Sequence, residues 1–273
     1  MKHLKLTLRR NKDHQSVVRT AEGQAIGGEQ FVFIGGPCAI EDEEMIRHSA
    51  GFLGRTKVSL LRGGAFKPRT SPYSFQGLGE DGLRYIRSAA DQYQLGVVTE
   101  VMAIEQVPLV EKYASILQIG SRNMQNFDLL KVLGKSEKPV LLKRGLAATL
   151  EEFLGAAEYL MAYGNPNVIL CERGIRSYDP YTRNVLDLAA VVALKQLTHL
   201  PVIVDPSHAA GKSELIDGLA KAAVAAGADG LMIECHPRPQ ESVSDARQAL
   251  SLNAMADLVK SVEPILGVMG RQL

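Results

Sequence analysis

The sequence predicts an α/β fold of the (β/α)8 TIM-barrel class, preceded by a short N-terminal β-hairpin. From Phe31 onward, eight short apolar runs alternate with stretches whose apolar residues recur with helical periodicity. The runs are continuously apolar, which is typical of parallel strands buried on both faces. Each run also ends in or near a polar residue, and this third observation favours a closed barrel over an open sheet.

The elements follow one another in a simple order. QSVVRT and QAIGGEQ flank Glu22 and Gly23, which predicts a hairpin that plugs the bottom of the barrel. The last stretch, SDARQALSLNAMADLVKSVEPIL, is predicted as the eighth helix. We expect residues 1–30 to form the extension and residues 31–273 the barrel, with no separate regulatory domain. The predicted strands are FVFIGG, VSLLRGG, GVVTEV, SILQIG, PVLLKRG, NVILCERG, LPVIVDPSH and DGLMIECHP.

Polar residues at the ends of all eight runs decide between the two parallel architectures. An open sheet binds its ligand only where the strand order reverses, whereas a closed barrel builds its site from all eight carboxyl ends. The closed barrel therefore explains the pattern. The polar residues are Cys38, Arg62, Glu100, Arg122, Lys143, Arg173, His208 and Glu234.

Composition narrows the functional class. The formal net charge of +1 argues against nucleic-acid binding, and no apolar run reaches the length of a membrane span. Three cysteines are too few for a disulfide framework, and the basic N-terminus lacks the apolar core of a secretory signal. We therefore expect a cytoplasmic protein with no nucleic-acid or membrane partner.

Four residues at or beyond strand ends predict a metal site: Cys38, His208, Glu234 and Asp245. A thiolate, an imidazole and two carboxylates suit Mn²⁺, Fe²⁺, Co²⁺ or Zn²⁺. Separately, Cys38 could be a small buried hydrophobe, His208 an ordinary loop histidine and Asp245 the N-cap of the last helix. Glu234 is harder to explain otherwise, because a carboxylate that ends a buried strand needs a partner. Strand alternation turns Cys235 away, and Cys171 lies deeper in the barrel.

Basic residues at the same strand ends predict an anion site. The loop after the second strand carries Arg62, Lys67, Arg69 and Thr70, while Gly63 and Gly64 allow a ligand to approach. Arg binds phosphate or carboxylate through two parallel bonds, and Lys adds a point charge. The alternative is a solvated basic loop, but strand-end cations without an anion would repel one another. The further strand-end cations are Arg122, Lys143 and Arg173.

These motifs resemble the 3-deoxy-D-arabino-heptulosonate 7-phosphate (DAHP) synthases, in the branch related to the 3-deoxy-octulosonate 8-phosphate synthases. The resemblance runs from GGPCAIE to SVSDARQAL and is strongest in GGAFKPRTSPYSFQGLG and CERGIRSYDPYTRN. It implies a transferase of the shikimate pathway to the aromatic amino acids, which condenses phosphoenolpyruvate with erythrose 4-phosphate and releases phosphate. The octulosonate enzymes, which use arabinose 5-phosphate, have Ala-Asn-Arg where this chain has Pro68-Arg69-Thr70.

The resemblance also assigns residues. Cys38, His208, Glu234 and Asp245 match the metal ligands, and Pro68, Arg69 and Thr70 match the acceptor-phosphate site. Arg62 and Lys67 reach between the substrates. The remaining substrate contacts are expected at Gly120, Ser121, Arg122, Lys143 and Arg173.

The implied chemistry gives three of these groups a part in catalysis. The metal acts as a Lewis acid on the aldehyde oxygen, and Lys67 helps to polarise or protonate it. Glu100 either orients the attacking water or forms a salt bridge with a neighbouring arginine. A non-enzymatic barrel that binds sugar phosphates explains the cations but not the metal donors. We expect a homo-oligomer, a dimer or a tetramer, because barrels of this kind associate through helices or loops.

Overall fold

The hairpin comes first in the chain and lies at the bottom of the barrel. In the computed structural model, which describes residues 1, 3–67 and 71–273, β1 (Val18–Arg19) pairs antiparallel with β2 (Ala25–Ile26). Val18 and Ile26 are buried in one cluster with inward-facing side chains of the barrel strands. The predicted hairpin and its position as a plug are therefore confirmed.

Eight parallel strands, β3 to β10, form the barrel. Each strand pairs with its neighbour in the chain, and β10 pairs with both β9 and β3, which closes the sheet. A further short strand, β11 (Leu250–Ser251), extends from β10. All eight predicted runs are confirmed as strands. They span Val32–Gly36, Leu60–Arg62, Gly96–Glu100, Ile116–Ile119, Val140–Lys143, Val168–Glu172, Val202–Val204 and Gly230–His236.

Helices follow every barrel strand. A short extra helix, α7, sits between β9 and α8, and single 3₁₀ turns occupy several loops. Within the described residues, none of the helices combines the length and the apolar character needed to cross a bilayer. The helices α1 to α9 span Glu43–Leu53, Glu80–Gln92, Val107–Tyr113, Phe127–Leu133, Leu150–Ala162, Leu188–Leu197, Pro206–Ala210, Ile216–Ala225 and Leu252–Val268.

Local sequence explains where several helices begin. The Asp42 side chain accepts the Met45 N–H and caps α1, while Thr149 and Glu152 form a capping box on α5. The last helix begins later than predicted. Ser251 caps α9 by accepting the Ala254 N–H, so the residues before it form a loop and β11.

Two layers of apolar side chains surround the strand backbone. Side chains such as Ile34, Leu60 and Ile169 fill the inside of the barrel, and alternate residues such as Phe33 pack against the helices. Cys171 belongs to the inner layer and Cys235 to the outer one, in agreement with their predicted directions. The carboxyl end of the barrel is left for polar side chains.

The segment before the hairpin is also packed against the barrel. It covers His199, which is only 6% exposed. Its Nδ1 lies 2.7 Å from the Ser16 Oγ and its Nε2 lies 2.7 Å from the Leu6 carbonyl oxygen. The ring is buried because the N-terminal segment covers the start of β9.

Candidate active site at the carboxyl end of the barrel

The short helix α7 places the histidine of the site. Asp205 follows β9 directly, and its side chain accepts the His208 backbone N–H at 2.9 Å as the N-cap. Pro206 occupies the first turn, where its missing N–H costs nothing. The sequence DPSH therefore folds into a helical turn that directs His208 toward the barrel axis.

Cys38, His208, Glu234 and Asp245 come together as predicted. One donor atom from each lies within 4.8 Å of all the others. The Cys38 Sγ lies 3.2 Å from the Asp245 Oδ2, and the His208 Nε2 lies 3.1 Å from the Glu234 Oε1. We call these four residues the donor group.

Asp245 reaches the donor group from a strained loop and caps no helix. It has a φ of 56°, in the left-handed region that residues other than glycine rarely adopt. Its Oδ1 accepts a hydrogen bond from the Arg183 Nη1 at 3.1 Å, which leaves Oδ2 to face Cys38. The N-cap alternative for Asp245 is therefore wrong, since Ser251 caps α9.

The charges around the donor group set its protonation. Burial would raise the pKa of Glu234, but His208 and the Arg62 guanidinium lower it to about 2. Burial raises the pKa of the Cys38 thiol to about 11, assisted by Glu234 and opposed by Lys67 and Arg62. Burial also lowers the pKa of His208, against the opposing effect of Asp205 and Glu234. The imidazole is thus neutral near pH 7, the form that binds a metal.

The donor group fits a divalent transition metal. The His208 Nδ1 lies 2.7 Å from the Asp205 Oδ2, closer than the Nε2 lies to Glu234, which favours a neutral ring with its proton on Nδ1 and its lone pair on Nε2. That lone pair faces the carboxylate of Glu234 across 3.1 Å, and two acceptors so close are stabilised by a cation between them. Sulfur, nitrogen and carboxylate oxygen together match metals of the Mn²⁺ to Zn²⁺ series. Binding would release the thiol proton of Cys38.

A cavity of about 360 Å³ opens beside the donor group. Gln118, Asn184 and Leu146 line it together with His208 and Asp245. Its other lining residues include the predicted Glu100, Gly120 and Ser121. Seven cationic side chains also line it: Arg62, Lys67, Arg122, Lys143, Arg173, Arg176 and Arg183.

Some of these cations are neutralised within the protein and others are not. Arg62 donates to the Glu234 Oε1 at 2.6 Å, and Lys143 donates to the Asp205 Oδ2. By contrast, Arg122, Arg173 and Arg176 form no ion pair with any residue in the described ranges. The Nη1 of Arg173 is buried and has no hydrogen-bond partner among them. This guanidinium nitrogen is therefore available to an anion that enters the cavity.

Glu100 lies at the end of β5 and lines the same cavity. Its Oε2 accepts from the Gln118 Nε2 at 3.4 Å, and it forms no ion pair with any described residue. A Cβ on Gly120 would approach the Glu100 Oε1 to 2.1 Å, so a larger residue there would force the Glu100 carboxylate to move. The salt-bridge alternative for Glu100 therefore finds no partner in the part of the chain that is described.

Lys67 lies at the border between the donor group and the cavity. Its Nζ donates to the Cys38 carbonyl oxygen at 2.9 Å and lies 3.1 Å from the Cys38 Sγ. The side chain is buried. The predicted contacts Pro68, Arg69 and Thr70, which follow it in the chain, lie outside the described residues.

Sequence reasoning missed several residues of the site. Arg176 and Arg183 lie within CERGIRSYDPYTRN, so their basic character was a visible signal. Asp205 is also visible as the residue before Pro206, but nothing local shows that it bonds to Lys143. Gln248 donates to the Glu234 Oε2, and its sequence position offers no signal.

Known proteins with similar sequences agree on one family. The model of the DAHP synthetase I family matches residues 14–266. A phospho-2-dehydro-3-deoxyheptonate aldolase from Thermotoga maritima is 50% identical over 245 residues, which cover 90% of this chain and 72% of the relative. A 2-dehydro-3-deoxyphosphooctonate aldolase from Acidithiobacillus ferrooxidans is 32% identical, with coverage of 89% of this chain and 92% of that protein.

Solved structures point the same way. A crystal structure of phospho-2-dehydro-3-deoxyheptonate aldolase (DAHP synthase) from Thermotoga maritima superposes with a TM-score of 0.96 at 46% identity, covering 100% of this chain and 79% of that one. A truncated 3-deoxy-D-arabino-heptulosonate 7-phosphate synthase from the same organism gives 0.92 at 42% identity, covering 98% of both chains. The chain belongs to the DAHP synthetase I family.

Proposed function

We propose that this chain catalyses the metal-dependent condensation of phosphoenolpyruvate with erythrose 4-phosphate and water to give DAHP and inorganic phosphate. The observation that carries the proposal is that the donor group adjoins a cavity in which Arg122, Arg173 and Arg176 have no ion-pair partner among the described residues. The buried Nη1 of Arg173 also has no hydrogen-bond partner among those residues. Family membership supports the same reaction, which opens the shikimate pathway to the aromatic amino acids.

Phosphoenolpyruvate is the substrate that we assign to Arg122, Lys143 and Arg173. It carries a carboxylate and a phosphate, and a phosphate contributes about −1.5 to −2 charges near pH 7. The unpaired guanidinium groups of Arg122 and Arg173 can each bind such an anion through two parallel bonds. Gly120 and Ser121 line the cavity beside them.

The chain's own residues also handle the proton and the water. As the enol carbon bonds to the aldehyde carbon, the aldehyde oxygen gains a proton, which the Lys67 Nζ is placed to donate. Water then adds to the former enol carbon, and cleavage of its bond to the phosphate oxygen releases phosphate. The Glu100 carboxylate orients that water and accepts its proton, because it lines the cavity and forms no ion pair with any of the described residues.

Cys38, His208, Glu234 and Asp245 hold the metal in this proposal. A bound divalent cation supplies a Lewis acid that polarises the aldehyde oxygen. Mn²⁺, Fe²⁺, Co²⁺ and Zn²⁺ all suit the donor set. Adding each metal separately to chelated protein, and measuring activity, identifies the effective one.

The acceptor is assigned from the sequence pattern and the family. Pro68, Arg69 and Thr70 form the acceptor-phosphate site in this proposal, and Arg62 and Lys67 lie between the two substrates. The Pro-Arg-Thr pattern and the 50% identity to the heptonate enzyme favour the four-carbon aldehyde over arabinose 5-phosphate.

A phosphate-release assay tests the function directly. Chelated protein is resupplied with metal and given phosphoenolpyruvate with either erythrose 4-phosphate or arabinose 5-phosphate. We expect phosphate release only with metal, and a higher kcat/KM for the four-carbon aldehyde. A preference for arabinose 5-phosphate would assign the chain to the octulosonate reaction. Binding of both sugar phosphates without phosphate release would favour the non-enzymatic barrel.

Two further proposals concern the setting of the enzyme. The three cysteines are all free and buried, which supports action in a reducing compartment such as the cytoplasm. The homo-oligomer, a dimer or a tetramer, stays a prediction that sedimentation velocity checks.

A further inference from the structure

Asp205 is a buried carboxylate that caps α7 and has no part in the proposed reaction. It follows β9 directly, and its side chain has no exposed area. It does not line the cavity and does not belong to the donor group. Among the described residues, its side chain has two partner residues, His208 of the donor group and Lys143 of the cavity.

The two carboxylate oxygens of Asp205 accept different hydrogen bonds. Oδ1 accepts the backbone N–H of His208 at 2.9 Å. Oδ2 accepts from the His208 Nδ1 at 2.7 Å and from the Lys143 Nζ at 2.5 Å. One carboxylate oxygen therefore contacts both a residue of the donor group and a cation of the cavity.

The contact with His208 selects the tautomer of the ring. A carboxylate accepts hydrogen bonds and cannot donate one, and the Asp205 Oδ2 is nearer to the ring than the Glu234 Oε1, so we infer that the neutral ring carries its proton on Nδ1. Nε2 then keeps its lone pair and points toward Glu234 at 3.1 Å. Carboxylates that bind the second nitrogen of a metal-binding histidine fix its orientation and raise its basicity.

The contact with Lys143 holds the ammonium group in place. Lys143 ends β7 and is nearly fully buried, so its charge needs a partner even when no ligand is bound. Asp205 supplies that partner and directs the Nζ to the side of the cavity next to His208. Lys143 is thereby kept where an anion in the cavity can contact it.

We propose that Asp205 is a positioning residue that couples the donor group to the cavity, because it orients His208 and holds Lys143 through the same oxygen. With a metal bound at Nε2, the imidazole would be more acidic, and His208 would hold the Asp205 carboxylate more tightly through its Nδ1–H. Lys143 is then ordered for the anion. Coupling of this kind is reciprocal, so the metal and phosphoenolpyruvate each tighten the binding of the other by the same factor. The anion's identity rests on the proposed function.

Asp205→Asn is the most informative variant. The amide has nearly the same shape and can still cap α7 through one oxygen. It cannot then also accept from the His208 Nδ1 and from Lys143, because its second terminal atom is an NH₂ donor. The charge that neutralises Lys143 is also lost.

The chain contains a matched control at the other end of the barrel. Asp229 is also buried, accepts from the Lys195 Nζ at 2.6 Å and accepts the Val202 N–H at 2.7 Å. Asp229→Asn therefore makes the same chemical change in a buried Asp–Lys pair that contacts neither the donor group nor the cavity.

The experiment measures binding without turnover. Metal affinity is measured by chelator competition, and phosphoenolpyruvate affinity by calorimetry with and without metal, for wild type, Asp205→Asn and Asp229→Asn. We expect Asp205→Asn to weaken metal binding by about 10- to 100-fold. It should also weaken phosphoenolpyruvate binding and abolish the dependence of each affinity on the other ligand. Asp229→Asn should lower the melting temperature. Its metal affinity, its phosphoenolpyruvate affinity and the dependence of each on the other ligand should match the wild type.

The results separate this proposal from the proposed function. Wild-type protein that binds metal but not phosphoenolpyruvate would refute the function, and the metal measurements alone would then decide the role of Asp205. Wild-type affinities and coupling in a folded Asp205→Asn protein would overturn the proposal.

If Asp205→Asn does not fold, the wild-type protein still provides a test. In metal-free protein labelled with ¹⁵N-histidine, the His208 signals, assigned with His208→Gln, should show the proton on Nδ1. A proton on Nε2 would overturn the proposal.

Discussion

The two ends of this barrel handle buried charge differently. At the bottom, Asp229 bonds to Lys195, Arg271 and the Val202 N–H, and every partner belongs to the framework of the fold. At the carboxyl end, Asp205 bonds to Lys143 and His208, whose side chains face a cavity. The same kind of ion pair stabilises the fold at one end and prepares a site at the other, as is general for this architecture.

The apolar side chains show the same contrast. Val18 and Ile26 of the hairpin seal the bottom of the barrel against the inner layer of strand residues. None of the described residues plugs the carboxyl end in this way, and its inner positions carry Arg62, Lys143 and Glu234 instead. Substitutions at the bottom should therefore change stability, and substitutions at the carboxyl end should change binding and activity.

The largest effect is expected from removing a donor atom at the carboxyl end. Cys38→Ala should lower kcat/KM by more than about 100-fold. Substitution of a residue that only supports a metal ligand costs up to about 100-fold, and loss of a ligand itself should cost more. Metal content by mass spectrometry should fall with it, while circular dichroism stays unchanged. Cys171→Ala, which removes a buried thiol from the inner layer, should keep metal and activity. A fully active Cys38→Ala protein would contradict the metal assignment.

The next effect concerns Arg173, one of the cavity cations that form no ion pair with any described residue. Arg173→Gln should remove a charge-assisted contact of about 1.5–3 kcal/mol, roughly 10- to 150-fold, mainly as a higher KM for phosphoenolpyruvate. Steady-state kinetics with each substrate varied in turn measures this. Arg84→Gln, which breaks an exposed ion pair with Asp81, serves as the control and should leave both constants unchanged. An unchanged KM for Arg173→Gln would place the anion elsewhere.

A substitution in the plug should produce the opposite pattern. Ile26→Ala leaves a cavity in a fully buried position and should lower the free energy of unfolding by about 2–5 kcal/mol. Urea unfolding measures the change, and kcat and metal affinity should match the wild type. Val17→Ala, at a neighbouring exposed position, should change stability by less than about 0.5 kcal/mol. Loss of metal affinity in folded Ile26→Ala protein would show that the two ends are coupled.

The smallest effect is a pH dependence at the bottom. Burial lowers the pKa of His199. The hydrogen bond to the Leu6 carbonyl oxygen opposes this shift, and the nearby His14, Arg10 and Arg9 lower the pKa further. The folded protein therefore binds a proton at His199 less readily than the unfolded chain does. The neutral His199 contributes to the free energy of unfolding at pH values above the unfolded pKa of about 6.5. It is lost as the pH falls through the folded pKa.

Thermal unfolding between neutral and mildly acidic pH measures this dependence. His199→Gln should have a shallower decline in melting temperature than the wild type. His3→Gln, at an exposed position paired with Glu151, should keep the wild-type slope. Equal slopes for wild type and His199→Gln would contradict the assignment to His199.

Much of the fold was visible in the sequence because the signals are local. Strand periodicity and the polar residue that ends each run depend only on neighbouring residues, so all eight strands and the approach of the donor group could be predicted. The start of the last helix was missed, since Ser244, Asp245 and Ser251 are all acceptable N-caps in sequence. Only packing shows that Ser251 is the one used.

The sequence by itself determined the barrel, the plug, the four donor residues and the positive charge of the cavity. Only the tertiary structure decided which charges neutralise each other and which remain free for a ligand. Arg62 and Glu234 are 172 residues apart, and Lys143 and Asp205 are 62 apart. Such pairings depend on strand stagger and side-chain reach across the barrel, and no local pattern records them. For that reason, Asp205 could be read as a helix cap but not as the link between two halves of a site.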